Sequence, residues 1–287
     1  MTGVVVGADG SACGLQAVAV AAREALLRHC PLRVVHGFLW PYFPVSLSPS
    51  AVGPPEGGLR NEARRIVGEA LEHARKAAPG VEATGEVVTG SADAVLVEES
   101  RGADLAVVGD RGLGGFGGLL LGSTGVQLSA HAGCPVLVVR GRPEPDGPVL
   151  LGVDGSPASA PAVDFAFAEA ELRGVPLVAL HAWTGPVSGG PGDMLPLAFD
   201  ADLVAAEEER LMAEALAGAR ADRPGVAVEE RLLRTRTRPA LIEASREAQL
   251  LVVGARGRGG FTGLLLGAVS QAVLHHAECP VAVVHKR

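Results

Sequence analysis

The chain has 287 residues, a length that suits two domains of ordinary size. Hydrophobic residues make up 48% of it and charged residues 20%, which excludes a disordered protein. The net charge of −7 argues against a protein that binds nucleic acid through its overall electrostatic field.

Short apolar runs alternate with longer helical stretches along the first half of the chain. In chain order they predict strand Val4–Ala8, helix Ser11–Arg28, strand Arg33–Gly37, helix Arg60–Ala78, strand Val81–Thr89, helix Ala92–Arg101, strand Leu105–Gly109, helix Gly122–Ala132 and strand Val136–Arg140. Most of these strands are too uniformly apolar to have one wet face, which predicts a parallel sheet covered by helices on both sides. Each half is therefore predicted to be a doubly wound α/β domain.

The second half of the chain repeats the first. A shift of 145 residues aligns the two halves without a net gap, so that Asp9-Gly10-Ser11 meets Asp154-Gly155-Ser156. Of the 18 positions in Leu105–Gly122, 14 are identical in Leu250–Gly267. This pattern indicates a tandem duplication, with domains at residues 1–140 and 148–287 joined by a linker at 141–147.

Two Pro/Gly-rich stretches interrupt the alternation after the second strand of each repeat. They are Trp40–Gly58 and Trp183–Pro196, and loops of this length in compact domains usually have a function.

The sequence indicates neither secretion nor a membrane span. The N-terminus lacks a basic region followed by a long apolar stretch, and no run of about 18 apolar residues occurs. The four cysteines are far apart and lack C-x-x-C spacing. We therefore expect a cytoplasmic protein that binds neither membranes nor nucleic acid.

A glycine-rich stretch follows the fourth strand of each repeat, at Gly109–Gly122 and Gly254–Gly267. Each stretch runs from a buried strand to the next helix, which is where open α/β sheets bind ligands. Without side chains, the backbone N–H groups can approach phosphate oxygens, and the helix N-terminus adds its dipole. A compact turn alone would not need so many glycines, so the pattern predicts a phosphate site, to which Arg111 and Arg256 would add charge.

Two common phosphate-binding signatures fit poorly. The Walker sequence is absent, and neither stretch contains a lysine. Gly112-x-Gly114-x-x-Gly117 formally matches the dinucleotide fingerprint, but it follows the fourth strand instead of the first, and Thr262 replaces the third glycine in the second copy. The sequence therefore disfavours a P-loop enzyme and a nicotinamide enzyme.

The glycine spacing resembles that of the ATP-binding universal stress proteins. Gly109-x-x-Gly112, nine residues and Gly122-Ser123 match their G-2x-G-9x-G-[S/T] pattern, and Gly254-x-x-Gly257 with Gly267-Ala268-Val269-Ser270 nearly repeats it. The openings VVVGADGS and LLGVDGS and the closings CPVLVV and CPVAVV are similar to that family as well. The resemblance covers nearly the whole chain. It implies two Rossmann-like domains, each with a five-stranded parallel sheet in the order 3-2-1-4-5 and with ATP, with or without Mg²⁺, between strands 1 and 4.

The resemblance also implies which residues hold the nucleotide. Gly7 and Asp9, with Gly152 and Asp154, would meet the adenine–ribose end, and Gly37 and Ala182 would offer backbone hydrogen bonds to adenine. The loop glycines and the residues after them would hold the phosphates: Gly109, Gly112, Gly122, Ser123 and Thr124 in the first domain, and Gly254, Gly257, Gly267, Ala268, Val269 and Ser270 in the second. Val108, Arg111, Val253 and Arg256 complete the expected nucleotide-binding residues.

Some of these residues have a second interpretation. Asp9 and Asp154 would also suit a helix N-cap or a turn, since D-G-S is a common start signal. His36 and His181 fit packed strand ends better than catalytic bases, because neither has a partner motif. We predict no catalytic residues and no metal ligands.

The two copies depart from the family pattern differently. The first keeps Ser123 but has Gly125, whereas the second has Ala268 and keeps Ser270. Asp110 places a negative charge beside the first phosphate loop, which would weaken phosphate binding there. We therefore expect both sites to bind ATP, with unequal affinity.

These observations favour a nucleotide-responsive stress regulator that is not an enzyme and that acts as a homodimer with a protein partner. Two alternatives stay open: a slow ATPase or nucleotidyl-transferring enzyme, and an interaction protein whose sites bind no nucleotide.

Overall fold

The computed structural model describes residues 3–39, 56–112, 121–142, 146–185, 201–258 and 265–286. Most of each Pro/Gly-rich stretch and the middle of each glycine-rich stretch lie outside these ranges. The chain divides into two compact units, Met1–Arg140 and Gly141–Arg287, called the first and second domain below.

The first domain is a doubly wound α/β domain, as predicted. Its elements are β1 (Val4–Gly7), α1 (Ala12–Leu27), β2 (Leu32–Phe38), α2 (Glu56–Ala77), β3 (Ala83–Thr89), α3 (Ala92–Ser100), β4 (Leu105–Gly109), α4 (Ser123–His131) and β5 (Val136–Val139). All neighbouring strands pair in parallel, in the order β3-β2-β1-β4-β5. The strand order implied by the family resemblance is therefore confirmed.

The second domain has the same topology. Its elements are β6 (Val149–Gly152), α5 (Ala160–Arg173), β7 (Leu177–Trp183), α6 (Ala201–Asp222), β8 (Val228–Arg234), α7 (Thr237–Ala244), a 3₁₀ turn (Ser245–Glu247), β9 (Leu250–Gly254), α8 (Ala268–His276) and β10 (Val281–Val284). The strands are parallel in the order β8-β7-β6-β9-β10.

Two helix starts differ from simple expectation. Helix α2 begins at Glu56 and not at the predicted Arg60, because the helix includes a pair of glycines that were interpreted as part of the loop. A glycine inside a helix costs only about 1 kcal/mol and therefore does not have to end the helix. Helix α5 begins at Ala160, whereas the residue that matches the start of α1 is Pro157. Pro161 lacks the N–H that would bond to the carbonyl of residue 157, so the helix starts later.

The core of each domain lies between its sheet and the flanking helices. All five residues of β4 are buried, and so are all four of β5. Helix α1 packs its small side chains against the sheet, with Ala17, Ala21, Ala22 and Ala25 fully buried. Strands β1, β4, β6 and β9 are mainly valine and leucine, so burial of aliphatic side chains supplies the main stabilisation.

A cleft opens at the carboxyl end of the sheet between β1 and β4. After β1 the chain turns toward β2, since the N–H of Ala8 donates to the carbonyl of Val35 at 2.9 Å. After β4 it turns the other way, since the N–H of Asp110 donates to the carbonyl of Val139 at 3.0 Å. This divergence marks the switch point at which doubly wound folds bind ligands.

The second domain diverges at the same place. The N–H of Val153 donates to the carbonyl of Leu180 at 2.9 Å, and that of Ala255 donates to the carbonyl of Val284 at 2.7 Å.

Within the described ranges of both domains, no helix has the length and apolar character that crossing a bilayer requires.

Candidate functional site

A cavity of about 360 Å³ occupies the cleft of the first domain, a size typical of small-molecule sites. All ten residues predicted for the first-domain site line it: Gly7, Asp9, Gly37, Val108, Gly109, Arg111, Gly112, Gly122, Ser123 and Thr124. Seven lining residues were not among those predicted to bind: Ala8, Gly14, Val35, His36, Ala92, Leu96 and Gly125. The structure thus brings together residues from six elements and the turns that follow them.

Asp9 lies in the turn that follows β1. Its Oδ1 accepts hydrogen bonds from the backbone N–H of Ser11 at 2.9 Å and from the Ser11 hydroxyl at 2.6 Å. The N-cap of α1 is Ser11 itself, whose Oγ accepts from the N–H of Gly14 at 3.0 Å. Asp9 therefore orders the turn without capping the helix, and its carboxylate lines the cavity.

Three glycines allow close backbone approach around this cavity. A Cβ at Gly109 would lie 2.8 Å from the carbonyl oxygen of Cys13, and a Cβ at Gly112 would lie 2.5 Å from Oδ2 of Asp9. A Cβ at Gly37 would lie 2.7 Å from the Cα of Ala92, because the end of β2 almost touches the start of α3. Larger residues would fill the cavity or push its walls apart.

The N-terminus of α4 forms one end of the cavity. Its N-cap is Gly122, which supplies no side-chain cap, and the N–H of Gly122 donates to the carbonyl of Asp110 at 2.7 Å. The next three residues, Ser123, Thr124 and Gly125, all line the cavity. The first-turn N–H groups of a helix have no partner within the helix, so together with the two hydroxyls they favour an anionic group here.

The charges beside this helix end are partly balanced. Arg111 has 61% of its side chain exposed, and its Nε lies 3.6 Å from Oδ2 of the mostly buried Asp110. The negative charge that we expected to weaken phosphate binding is therefore accompanied by a cation. Burial raises the pKa of the neighbouring Cys13 thiol, and Asp110 raises it further by its charge and by accepting a hydrogen bond.

His36 contributes its ring to the cavity wall. Its Nδ1 lies 2.7 Å from the carbonyl oxygen of Ala8, so Nδ1 is the nitrogen that donates. This contact joins the end of β2 to the turn after β1, as expected for a packed strand-end histidine.

Among the residues that the structure describes, no group of three or more His, Cys, Asp or Glu side chains is arranged to hold a metal ion.

The acidic residue of the second domain accepts hydrogen bonds at both of its carboxylate oxygens. Oδ1 of Asp154 accepts from the N–H of Ser156 at 2.9 Å, from the Ser156 hydroxyl at 2.8 Å and from the Ser159 hydroxyl at 2.6 Å. Its Oδ2 accepts from the N–H of Arg258 at 2.7 Å. Burial alone would raise the pKa of Asp154, but these hydrogen bonds outweigh it and hold the pKa below its ordinary value.

A backbone carbonyl at the end of β7 also accepts a hydrogen bond from a side chain of the second domain. The hydroxyl of Thr237 donates to the carbonyl of Ala182 at 3.2 Å. His181 repeats the contact of His36, with its Nδ1 at 2.7 Å from the carbonyl of Val153, and its Nε2 lies 2.8 Å from Oε2 of Glu208 in α6.

The other predicted residues of the second domain lie at the same edge of its sheet. Gly152 and Val253–Gly254 end β6 and β9, Arg256 and Gly257 follow β9, and Gly267, Ala268, Val269 and Ser270 begin α8. The Ser270 hydroxyl donates to the carbonyl of Gly254 at 2.7 Å. A Cβ at Gly257 would collide with Oδ2 of Asp154, so this glycine repeats the close approach of Gly112.

The sequence-based prediction missed the polar contacts of Ser159, Thr237 and Glu208. Their signal lies in the repeat itself, because they match Gly14, Ala92 and Ala63 of the first domain. At each position a small residue in one copy corresponds to a larger polar residue in the other.

Comparison with known proteins identifies one family across both domains. The family model described as the universal stress protein family matches residues 1–140 and 147–285. A universal stress protein from Mycolicibacterium smegmatis is 39% identical over 297 residues, covering 99% of this chain and 97% of the relative. One from Mycobacterium tuberculosis is 40% identical over 303 residues, covering 99% and 96%. The crystal structure of a universal stress protein from Archaeoglobus fulgidus has the same fold, with a TM-score of 0.72, 17% identity and coverage of 99% and 98%.

Proposed function

Because this chain belongs to the universal stress protein family, in a tandem two-domain form, we propose that it is an ATP-responsive regulator whose first domain binds the nucleotide. The observation that carries the proposal is the first-domain cavity, which is lined by all ten residues predicted for that site. These residues come from three separate segments, at positions 7–9, 37 and 108–124, so a common cavity is not a trivial consequence of the glycine pattern.

The walls of the cavity suit the three parts of ATP. The backbone of Gly37, beside the apolar side chains of Val35 and Leu96, suits a flat base with hydrogen-bonding edges. The carboxylate of Asp9 suits ribose hydroxyls, which donate hydrogen bonds. The start of α4 suits the phosphates, because its N–H groups and dipole attract anions.

Arg111 extends this phosphate end to the rim of the cavity. Its side chain is 61% exposed and so can turn toward a terminal phosphate that projects into solvent. One guanidinium group can donate two parallel hydrogen bonds to the oxygens of a phosphate, which makes arginine a suitable residue at this position. The proposed ligand is ATP, either alone or together with Mg²⁺.

We assign the protein a regulatory role and not a catalytic one. A regulator of this kind acts through the difference in ATP affinity between its conformations, and ATP binding shifts their populations. The cytoplasmic location, the homodimer and the protein partner stay predictions from the sequence.

Calorimetric titration with ATP tests the proposal. We expect the wild-type chain to bind ATP and Gly112→Val to lose that binding, because a Cβ at this position lies 2.5 Å from Oδ2 of Asp9. Gly257→Val makes the same change in the second domain and is the matched control that keeps first-domain binding. Circular dichroism establishes that each variant is folded.

A folded Gly112→Val chain that binds ATP with wild-type affinity would contradict the proposal. The milder variant Ser123→Ala removes one hydroxyl donor and is expected to weaken binding by about 1–3 kcal/mol. Phosphate release that falls in Asp9→Ala would favour the slow ATPase, whereas a wild-type chain without ATP affinity would favour the nucleotide-free interaction protein.

The sequence predicts a second nucleotide site in the second domain. Ala268 and Val269 offer no hydroxyl where the first domain has Ser123 and Thr124. We therefore propose that any nucleotide binds the second domain more weakly than the first.

A further inference from the structure

The two domains differ systematically at the positions that line the first-domain cavity. Five small residues there are matched by larger ones in the second domain: Ala8 by Val153, Gly14 by Ser159, Gly37 by Ala182, Ala92 by Thr237 and Gly125 by Ser270. We infer that the second domain uses its own side chains to satisfy the groups that would bind a nucleotide, so that the chain binds one ATP and not two. This inference rests on the proposed function of the first domain.

The contact at the base end involves Thr237 at the start of α7. Its hydroxyl donates to the carbonyl of Ala182, which matches the Gly37 carbonyl proposed to face adenine. An adenine amino group would have to share this carbonyl oxygen with the Thr237 hydroxyl or displace that hydroxyl. Ala92 has no hydroxyl, so the first domain has no corresponding contact.

The contact at the ribose end involves Ser159. Its hydroxyl donates to Oδ1 of Asp154 at 2.6 Å, in addition to the two bonds from Ser156, and the N–H of Arg258 donates to Oδ2. Ribose hydroxyls would compete with these donors for the carboxylate. Gly14 has no side chain that could make the Ser159 contact in the first domain.

At the phosphate end, Ser270 is the hydroxyl residue within the Ala268–Ser270 turn. Its hydroxyl proton is directed to the carbonyl of Gly254 at 2.7 Å, and the residue is 3% exposed. A hydroxyl donates only one hydrogen bond, so the Ser270 hydroxyl has no proton to offer a phosphate oxygen while this contact persists. In the first domain, Ser123 and Thr124 both line the cavity.

Helix α6 adds a cover over the end of β7. Glu208 matches Ala63 of α2, and its carboxylate contacts Nε2 of His181 at 2.8 Å and lies 3.9 Å from Nη1 of Arg258. His181 is 5% exposed, and Trp183, whose ring contacts the Arg234 guanidinium, is 8% exposed. The last three residues of β2 are only partly buried, so the base end is more accessible in the first domain than in the second.

The cost of opening the second site follows from these contacts. A nucleotide would have to share or displace internal hydrogen bonds at its base, ribose and phosphate ends, and each bond that is not fully replaced lowers affinity about tenfold. The second domain is therefore expected to stay empty at ATP concentrations that saturate the first.

Equilibrium dialysis with radiolabelled ATP measures the stoichiometry directly. The wild-type chain is expected to bind one ATP, Gly257→Val to keep it, and Gly112→Val to bind none. The combined variant Ser159→Gly/Thr237→Ala/Ser270→Gly introduces the first-domain residues into the second domain. It is expected to bind two ATP molecules, and to bind one when Gly112→Val is added.

The reciprocal change guards against a combined variant that does not fold. Ala92→Thr gives the first domain a hydroxyl at the position that matches Thr237. This variant is expected to lower the ATP affinity of the first domain about tenfold. Unchanged affinity in this variant would count against the inference, as would a folded combined variant that still binds one ATP.

The outcomes separate this inference from the proposed function. Two ATP molecules on the wild-type chain, of which Gly112→Val keeps one, overturn the inference and leave first-domain ATP binding intact. No ATP on the wild-type chain rejects first-domain binding. In that case, a combined variant that binds one ATP still supports the closure of the second site by its own side chains. A combined variant that binds no ATP rejects that closure too.

Discussion

The contact between the end of β2 and the start of α3 leads to a quantitative prediction for Gly37→Ala. The new Cβ would lie 2.7 Å from the Cα and 2.9 Å from the N of Ala92, and 3.3 Å from the carbonyl oxygen of Gly90. All three atoms belong to the backbone, so no change of side-chain rotamer relieves the overlap, and the start of α3 must move. Overpacking of this kind costs about 1–3 kcal/mol of the free energy of unfolding.

The same movement shifts a wall of the first-domain cavity. A misfit of one methyl group in a binding pocket changes affinity about 10–200-fold, and we expect a loss of ATP affinity in that range. Urea unfolding followed by circular dichroism measures the stability, hydrogen exchange in β2 assigns it to the first domain, and calorimetry measures ATP binding.

The matched control is Ala182→Gly in the second domain, where alanine is already accommodated. Removing this methyl is expected to cost up to about 1 kcal/mol and to leave the first-domain ATP affinity unchanged. If Gly37→Ala is as stable as the wild type, or if it binds ATP equally well, the close contact between β2 and α3 does not restrict this position and the reasoning is refuted.

Three further changes test other parts of the structure, each by urea unfolding. Asp154→Asn weakens a set of internal hydrogen bonds and should cost about 2–4 kcal/mol near neutral pH. Because the folded-state pKa of Asp154 lies below its ordinary value of 3.8, this difference should persist above that pH and disappear as the pH falls through the folded-state value. Phe167→Ala removes a fully buried side chain and should cost about 3–5 kcal/mol. Arg173→Leu leaves the carboxylate of Glu169, 4% exposed, without its guanidinium partner at 2.9 Å, and should cost about 3 kcal/mol. Losses below about 1 kcal/mol in these variants would contradict the corresponding packing or charge argument.

Local sequence was sufficient for the features that depend on neighbouring residues. The valine-rich strands, the repeat and the glycine spacing after β4 are patterns within short segments, and each has a direct physical meaning. The strand pattern predicted the α/β fold. The family resemblance, which the glycine spacing carries, implied the strand order. The errors of these predictions lie at segment ends such as the start of α2, where the helix includes glycines that the sequence pattern assigned to the loop.

The repeat also contained information that the glycine motif alone did not. Aligning the domains pairs Ala92 with Thr237 and Gly14 with Ser159, but the alignment does not say which partner those hydroxyls contact. Thr237 bonds to a residue 55 positions away, and Arg258 to one 104 positions away. Such contacts depend on how the loops of separate strands converge.

The amino-acid order alone therefore carried the duplication, the α/β class and the sites where backbone could approach an anion, because strand propensity and missing side chains act over a few residues. Whether each cleft presents its polar groups to a ligand or to its own side chains became apparent only in the folded chain. That choice depends on hydrogen bonds between segments that folding brings together, and a hydroxyl such as that of Ser270 has a single proton to donate.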